Sequence, residues 1–322
     1  MILPLLAIII GLIVLVLSAD KFIDGSASVA KIMGIPSLII GMLIVGFGTS
    51  APEITVSIIA ALNGSSGIAL GNAYGSNIAN IALILGVTVI MYPIISHGKT
   101  IKRDLPLLVI LTLLSAYMAY DLVISRIESI ILLCLFIVIM SFIVISDTKQ
   151  HKKSEEFNSE KDDNQSLFKS IFWLIAGLIL LVGSSKLLVW GSVEIAHKLG
   201  ISDLIIGLTI VAVGTSLPEL ASSIIAAKKG EDDIALGNVI GSNIFNLMCV
   251  VGFAGVIHPI DAPPEVLYRD IAAMMILNVL LLIFCINSRR PNHAIGKVQG
   301  IVLLTIFIAY TVLLGYMALN GK

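Results

Sequence analysis

This sequence contains few charged residues. Asp, Glu, Lys and Arg together make up 13% of its 322 residues, whereas hydrophobic residues make up 57%. Soluble domains average about 25% charged residues, so the composition excludes an ordinary soluble domain and predicts a protein that crosses a membrane several times. The formal net charge of -1 adds little, because in such a chain the positions of the charges matter more than their sum. We expect the lipid bilayer as a partner, and no nucleic acid.

Cysteine and histidine are also scarce. The three cysteines, Cys134, Cys249 and Cys285, lie singly within apolar runs and have neither the pairing of a disulfide framework nor the spacing of metal ligands. We interpret them as packing residues. The lack of clustered Cys or His argues against zinc or copper. Apart from two glutamates considered below, the chain has no nucleophile and base pair typical of catalysis, so we expect neither an enzyme nor a cofactor.

The polar residues that are present fall largely in two segments that repeat each other at an offset of 166 residues. Thr49–Asn80 and Thr215–Asn246 are identical at 20 of 32 positions without a gap. Both copies contain Gly-Thr-Ser-x-Pro-Glu followed by Gly-Asn-x-x-Gly-Ser-Asn-x-x-Asn. Each copy places a glutamate, Glu53 or Glu219, in an otherwise apolar segment. The pattern predicts a symmetric cation site inside a membrane.

Apolar stretches long enough to cross a hydrocarbon core of about 30 Å occur ten times. They lie near residues 2–18, 35–61, 68–95, 105–120, 127–146, 169–190, 201–227, 234–257, 271–287 and 298–319. The polar stretch 147–165 divides them into two sets of five. We therefore predict an all-α polytopic membrane protein with ten transmembrane helices. Residues 1–146 would form the first five-helix repeat, 147–168 a flexible cytoplasmic linker, and 169–322 the second repeat.

The basic residues are unequally divided between the two sides of the predicted membrane. Fifteen lie in connections on the same side of the membrane as the central polar stretch, and four lie in connections or at a terminus on the opposite side. By the positive-inside rule the fifteen face the cytoplasm, which places both termini of this multi-pass cell-membrane protein outside. Because each repeat has an odd number of spans, the second repeat must be inverted relative to the first. Many secondary transporters are built this way, with the binding site at the repeat interface near the midplane.

Both glutamates lie near the middle of predicted spans. A charged side chain there costs about 2.5–3.5 kcal/mol on insertion scales. No Lys or Arg lies within the second, third, seventh or eighth span, so the motif helices offer no fixed positive charge. A mobile cation is the simplest compensation. The alternative, that both glutamates are protonated and only form hydrogen bonds between helices, stays open.

Oxygen atoms surround the glutamates in the sequence. Pro52 and Pro218 precede them, and proline interrupts a helix because it removes a hydrogen-bond donor. Unwound backbone is tolerated at this depth only where it lines a cavity. We therefore expect helix breaks that free carbonyl groups, such as those of Gly46, Thr49, Ala212 and Thr215. In the neighbouring spans two pairs are spaced i,i+4 and so share a helix face, namely Ser76 with Asn80 and Ser242 with Asn246.

Carboxylate, carbonyl and hydroxyl oxygens suit Ca²⁺ or Na⁺. Two glutamates carry a charge of about -2, which one Ca²⁺ or several Na⁺ would neutralise, whereas an empty site would leave both carboxylates uncompensated in a low dielectric. The resulting hypothesis is a protein that changes access only when its site is loaded. Such a protein is an exchanger rather than a uniporter or a channel.

The paired motifs resemble those of the Na⁺/Ca²⁺ exchanger family of the cation/calcium antiporter superfamily. The resemblance covers the whole chain and is to prokaryotic members with ten helices and a short central loop. It implies a secondary-active antiporter that exchanges Na⁺ for Ca²⁺ by alternating access and works as a monomer. In the family the first and sixth spans form a pair that slides past the other helices, which would here be residues 2–18 and 169–190.

The resemblance also implies ion ligands, residue by residue. The central Ca²⁺ site would consist of Glu53, Glu219 and the carbonyls of Thr49 and Thr215. One Na⁺ site would consist of Glu53, Ser76, the Ala212 carbonyl, Thr215 and Ser216, and the other of Glu219, Ser242, the Gly46 carbonyl, Thr49 and Ser50. Asn80 and Asn246 would line the middle. Potassium-dependent relatives have an acidic residue where this chain has Asn246, so the two asparagines imply an exchanger that does not need K⁺.

Other functions stay open. A Ca²⁺/H⁺ antiporter is the main alternative, because a pair of glutamates could also carry protons. A cation channel fits less well, since the paired motifs predict a closed cage of ligands. An intramembrane enzyme fits poorly for want of a nucleophile and a base.

Overall fold

The computed structural model describes residues 2–64, 66–96, 98, 100–155, 166–198, 212–288 and 294–319, which are almost entirely helical. The α-helices are α1 (Ile2–Met33), α2 (Ser37–Ile39), α3 (Gly46–Thr49), α4 (Ala51–Leu62), α5 (Ser66–Ala79), α6 (Gly86–Met91), α7 (Leu105–Met118), α8 (Arg126–Glu155), α9 (Leu167–Lys198), α10 (Ala212–Thr215), α11 (Leu217–Lys228), α12 (Asp232–Phe245), α13 (Val251–Ile257), α14 (Ala272–Ser288) and α15 (Lys297–Leu319). Segments with the wider π-helical turn are π1 (Ile40–Val45), π2 (Asn80–Leu85), π3 (Thr100–Asp104), π4 (Asn246–Val250) and π5 (Val266–Ile271). Two short strands, β1 (Val123–Ile124) and β2 (Ile260–Asp261), pair in antiparallel fashion.

The described helices include seven that are long and apolar enough to cross a membrane, and an eighth span if a bent pair is counted as one. The bent pair is Ser37–Thr49 with Ala51–Leu62, at an angle of 45°. Helix α7 (Leu105–Met118) covers most of the span predicted near 105–120, but with 14 residues it is too short to count among these seven. The charged residues of π3 precede it. The span predicted near 201–227 begins outside the described residues. The structure therefore gives a helical membrane protein with seven or eight candidate spans among the described residues.

The predicted flexible linker is partly helical. Helix α8 continues from Arg126 to Glu155, well into the stretch 147–168. The physical reason is that Lys, Gln and Glu, which make this stretch polar, are also good helix formers. Helix α9 begins at Leu167, and residues 156–165 lie outside the described part of the chain.

Helices α1 and α9 pack against each other in antiparallel fashion through glycines. A Cβ atom added at Gly25 would lie 2.6 Å from the Leu174 backbone nitrogen, and one added at Gly177 would lie 2.7 Å from that of Phe22. Small residues allow such close approach between helices in membranes. The first and sixth predicted spans are therefore direct neighbours, as the family resemblance implies, and their other faces carry exposed apolar side chains.

One hydrogen bond joins a position to its own equivalent in the other repeat, and one pair of equivalent residues forms β-bridges in both repeats, with partners that are not equivalent at the 166-residue offset. The Asn278 side-chain amide donates a hydrogen bond of 2.9 Å to the Thr112 hydroxyl, and these residues are 166 positions apart. Ile260 pairs with Ile124 in the small sheet, and its equivalent, Ile94, pairs with Ile295. Contacts between a position and its own equivalent are typical of a pseudo-two-fold axis.

One set of contacts breaks this symmetry. Lys229, in the turn between α11 and α12, forms ion pairs of 2.7 Å with Asp20 and 2.6 Å with Asp24, both on α1. Its ammonium group also donates to the Asp20 carbonyl at 3.0 Å. The equivalent positions in the other copy are Asn63, Lys186 and Trp190, which cannot form these ion pairs. Ion pairs therefore join α1 to the α11–α12 turn, whereas in the part of the chain that the structure describes α9 has no equivalent ion pairs with the α4–α5 turn.

Candidate cation site

The first motif interrupts its helix at a single residue. Helices α3 and α4 are separated by Ser50, whose backbone lies at φ -82° and ψ 4°. Pro52 occupies the first turn of α4, where its missing N–H is tolerated. The prediction that the break frees the Gly46 carbonyl is wrong, because this carbonyl accepts the Ser50 amide at 3.0 Å and the Ser242 hydroxyl at 3.4 Å. An ion at Gly46 would have to displace the Ser242 hydroxyl.

The second motif has the same break. Ser216 separates α10 from α11, at φ -92° and ψ 8°. Pro218 cannot donate to the carbonyl four residues earlier, which belongs to Gly214. The Ser185 hydroxyl of α9 donates to that carbonyl at 2.9 Å. The first copy has Ala19 at the position equivalent to Ser185, so this particular bond exists only in the second copy.

We expect Ser185→Ala to destabilise the protein by about 1–3 kcal/mol, because it leaves a buried carbonyl without its donor. The measurement is the midpoint of thermal unfolding in detergent. Ser184→Ala is the matched control, since the Ser184 hydroxyl only bonds the Leu181 carbonyl of its own helix. Equal midpoints for the two variants would contradict the proposed role of Ser185.

Both motif glutamates are buried in the first turn of the helix that follows the break. Glu53 is 1% exposed and Glu219 is 2% exposed, and the amino end of a helix favours a negative charge. The Ser50 hydroxyl donates to Glu219 Oε1 at 3.3 Å. The two carboxylates are close enough to interact electrostatically. Within the described part of the chain, neither forms an ion pair with a Lys or Arg.

An asparagine holds the backbone of each glutamate. The Asn72 amide donates to the Glu53 carbonyl at 3.1 Å and to the Ser57 hydroxyl at 2.9 Å. In the second copy, Asn238 makes the same bonds to the Glu219 carbonyl at 3.2 Å and to the Ser223 hydroxyl at 2.9 Å. We did not predict a role for these four residues. Their recurrence at the offset of 166 residues is the signal in the sequence that could have revealed it.

Further hydrogen bonds join the two copies directly at the site. The Thr49 hydroxyl donates to the Asn238 side-chain oxygen at 3.2 Å, and the Ser242 hydroxyl donates to the Gly46 carbonyl at 3.4 Å. The Asn80 amide donates to the Asn243 side-chain oxygen at 2.9 Å. These bonds bring predicted site residues of one copy against the motif of the other.

The remaining predicted site residues belong to the same helices. Ser76, Ser216 and Asn246 are buried. Thr215 is the last residue of α10 and Ala212 is its first. Asn80 begins π2 and Asn246 begins π4. Single π-helical turns are frequent at functional sites, since they change the direction of the side chains that follow.

Several buried oxygens of these residues have no hydrogen-bond partner among the described residues. They are Glu53 Oε1 and Oε2, Glu219 Oε2, Asn80 Oδ1, Asn246 Oδ1 and Ser216 Oγ. Buried polar atoms are normally paired, and leaving them unpaired is costly. All six atoms are hard oxygen ligands, which fit Ca²⁺ or Na⁺. The arrangement can therefore hold a desolvated cation between the two repeats.

Comparison with known proteins agrees with this chemistry. The sequence model of the family described as sodium/calcium exchanger protein matches residues 3–145 and 169–316. The protein CaxA of Alkalimonas amylolytica is 43% identical over 310 residues, covering 95% of this chain and 97% of that protein. The sodium/calcium exchanger MaX1 of Methanosarcina acetivorans is 32% identical, with 97% and 98% covered. The solved structure of the sodium-calcium exchanger NCX_Mj without Na⁺ and Ca²⁺ is similar at a TM-score of 0.84 and 34% identity, covering 97% of this chain and 99% of that one.

Proposed function

Because this chain belongs to the sodium/calcium exchanger family, a family of transporters and not of enzymes, we propose that it exchanges Na⁺ for Ca²⁺ across the cell membrane. Exchange would proceed by alternating access at a site near the midplane of the membrane. The observation that carries this proposal is the pair of buried glutamates, one from each repeat, with three of their four carboxylate oxygens unpaired among the described residues.

We assign the ions as the family resemblance implies. Ca²⁺ would bind centrally to Glu53 and Glu219 with the carbonyls of Thr49 and Thr215. Each flanking Na⁺ ion would bind to one of the two Na⁺ sets named in the sequence analysis. In each set a glutamate of one copy meets a carbonyl and hydroxyls of the other copy. The bond from Ser50 to Glu219 and that from Ser242 to the Gly46 carbonyl support the second set. Asn80 and Asn246 would add neutral oxygens.

The proposed architecture is two inverted five-helix repeats, 1–146 and 169–322, with both termini outside and the connection between them in the cytoplasm. The contact between Thr112 and Asn278 supports the two-fold relation. An inverted pair of repeats gives a single site two near-equivalent ways of opening, one toward each side. We propose that one chain is the working unit.

The charges of the site explain why transport would be coupled. With Ca²⁺ or several Na⁺ bound, the two carboxylates are neutralised and the loaded site can pass through the low-dielectric centre. An empty site leaves about two negative charges without compensation, which is costly to enclose. Access would therefore change only in the loaded states, and inward movement of one ion species requires outward movement of the other.

The test is Ca²⁺ uptake into proteoliposomes that contain the purified protein. We expect an outward Na⁺ gradient to drive radioactive Ca²⁺ inward and a pH gradient of equal size to have little effect. Vesicles without any counter-cation inside should take up almost none. Uptake driven by the pH gradient instead would favour the Ca²⁺/H⁺ antiporter, and uptake that persists without a counter-cation would favour a channel or a uniporter.

A further inference from the structure

A polar cavity lies between the carboxyl-terminal half of α1 and the start of α9, away from the candidate cation site. Its volume is about 430 Å³. Helix α1 contributes Lys21 and Ser28, and α9 with its preceding residue contributes Ser166, Lys169, Ser170 and Trp173. None of these residues belongs to the proposed exchange site, so the cavity calls for a separate explanation.

The cavity is positively charged. The Lys21 ammonium lies 5.7 Å from the centre of the Trp173 ring, and Lys169 has no carboxylate partner among the described residues. The one acid that lines the cavity, Asp24, shares the Lys229 ammonium with Asp20, at 2.6 and 2.7 Å. Lys21, Lys169 and Lys229 together exceed these two aspartates by one positive charge. The Ser170 hydroxyl donates to the Ser166 carbonyl at 3.3 Å. The ammonium groups of Lys21 and Lys169 and the hydroxyls of Ser28 and Ser166 form a set of donors suited to an anion with several acceptor oxygens.

The surface beside the cavity is apolar. Phe168 and Phe172 of α9 expose 80% and 53% of their surfaces, and in a membrane such side chains face acyl chains. Trp173, in the wall of the cavity, is a residue type enriched at the boundary between lipid tails and water. A ligand that carries both an anionic group and hydrocarbon chains matches the cavity and this neighbouring surface together. We propose that the cavity binds the phosphate group of an anionic phospholipid.

The chain offers its own fluorescent reporter for the test. It contains two tryptophans, so Trp190→Phe leaves Trp173, which lies in the cavity wall, as the sole tryptophan of the chain. We expect brominated phosphatidylglycerol to quench Trp173 emission more strongly than brominated phosphatidylcholine in reconstituted vesicles. Lys21→Gln and Lys169→Gln should each lower the relative binding constant of the anionic lipid by about fivefold, the contribution of one basic residue near a lipid surface. The corresponding Lys→Arg variants should retain the preference.

The matched control is Lys297→Gln, which removes one exposed lysine at the start of α15 and should leave quenching unchanged. Equal quenching by the two lipids, or a preference that survives both Lys→Gln changes, would overturn the proposal. Inorganic phosphate added to zwitterionic vesicles should not alter Trp173 emission. A saturable response to it that requires both lysines would assign the cavity to soluble phosphate instead. Quenching does not depend on transport, so its result is independent of the exchange assay.

A further pair of variants tests the role of Asp24. Lys229 does not line the cavity, yet its removal would take away the ammonium group that Asp24 shares with Asp20 and with it the excess of one positive charge. We expect Lys229→Gln to weaken the anionic lipid preference several-fold, and Asp24→Asn in the same chain to restore it. Failure of the restoration would contradict the charge balance on which the proposed site rests.

Discussion

Replacing Glu53 or Glu219 with glutamine is expected to reduce Na⁺-driven Ca²⁺ uptake by a hundredfold or more. Glutamine keeps the shape of the side chain but removes one of the two negative charges that hold the ion. Removing one partner of a buried charge pair costs about 3–5 kcal/mol, which corresponds to a factor of about a hundred or more in affinity. The measurement is initial uptake of radioactive Ca²⁺ into proteoliposomes under an outward Na⁺ gradient.

Folding must be checked in the same variants. Ligands that bind only the native state raise the temperature of unfolding, so Ca²⁺ should stabilise the wild-type protein and fail to stabilise either variant. The variants without Ca²⁺ should be at least as stable as the wild type, because repulsion between the buried carboxylates is gone. Glu265→Gln, at an exposed residue outside the motifs, is the control. Near-normal uptake by a correctly folded Glu53→Gln or Glu219→Gln protein would remove the basis of the site.

The second large effect is expected from Gly241→Ala. An added Cβ atom would overlap the Met42 carbonyl oxygen and lie 2.6 Å from the Met42 Cα, both backbone atoms of π1. No change of side-chain rotamer can relieve that overlap, so α12 must move away from π1. Overpacking of this kind costs about 1–3 kcal/mol, and occasionally more. The displacement would also weaken the bonds from Ser242 to Gly46 and from Thr49 to Asn238, and transport should fall with stability.

Thermal unfolding in detergent and Ca²⁺ uptake are the two measurements for this variant. Gly183→Ala is the control, because Gly183 is exposed on α9 and an added Cβ meets no described atom within 4 Å. Alanine favours a helix over glycine by up to about 1 kcal/mol, so the control should be as stable as the wild type or slightly more so. A Gly241→Ala protein with wild-type stability and uptake would disprove the close contact.

The two glutamates stand out in the sequence for a physical reason, and the structure buries both, while their role as ion ligands stays a prediction. A charge within an apolar span is costly unless it has a function, and two such charges at a fixed offset single themselves out. The fold agrees with the sequence in its helical class and in the pairing of the first and sixth spans. The helical class follows from apolar runs, which are local, whereas the pairing of the two spans was an expectation from the family resemblance.

Some features were missed because they depend on contacts between helices that are distant in the sequence. The bonds of Asn72 and Asn238 to the glutamate carbonyls, and that of Ser185 to Gly214, join residues far apart in the chain. The predicted freeing of the Gly46 carbonyl is wrong, because Pro52 removes only the donor for the carbonyl four residues earlier, at Gly48, and the Ser50 amide still bonds Gly46. The linker was misjudged near Glu155, since polar composition alone does not distinguish a loop from a solvated helix.

The contacts of Lys229 would give the proposed exchanger a preferred side if they form in only one of its two access states. Two inverted copies of equal sequence would populate the inward-open and outward-open states equally, so any bias must come from contacts that only one copy makes. The ion pairs of Lys229 with Asp20 and Asp24 are such contacts, and partly exposed pairs of this kind contribute about 0–1 kcal/mol each. An energy of this size changes a balanced population ratio by up to about fivefold per pair. Ion pairs between two side chains of α1 and one of the α11–α12 turn, if made in one state only, would therefore be enough to make a nearly symmetric transporter rest facing one compartment more often than the other.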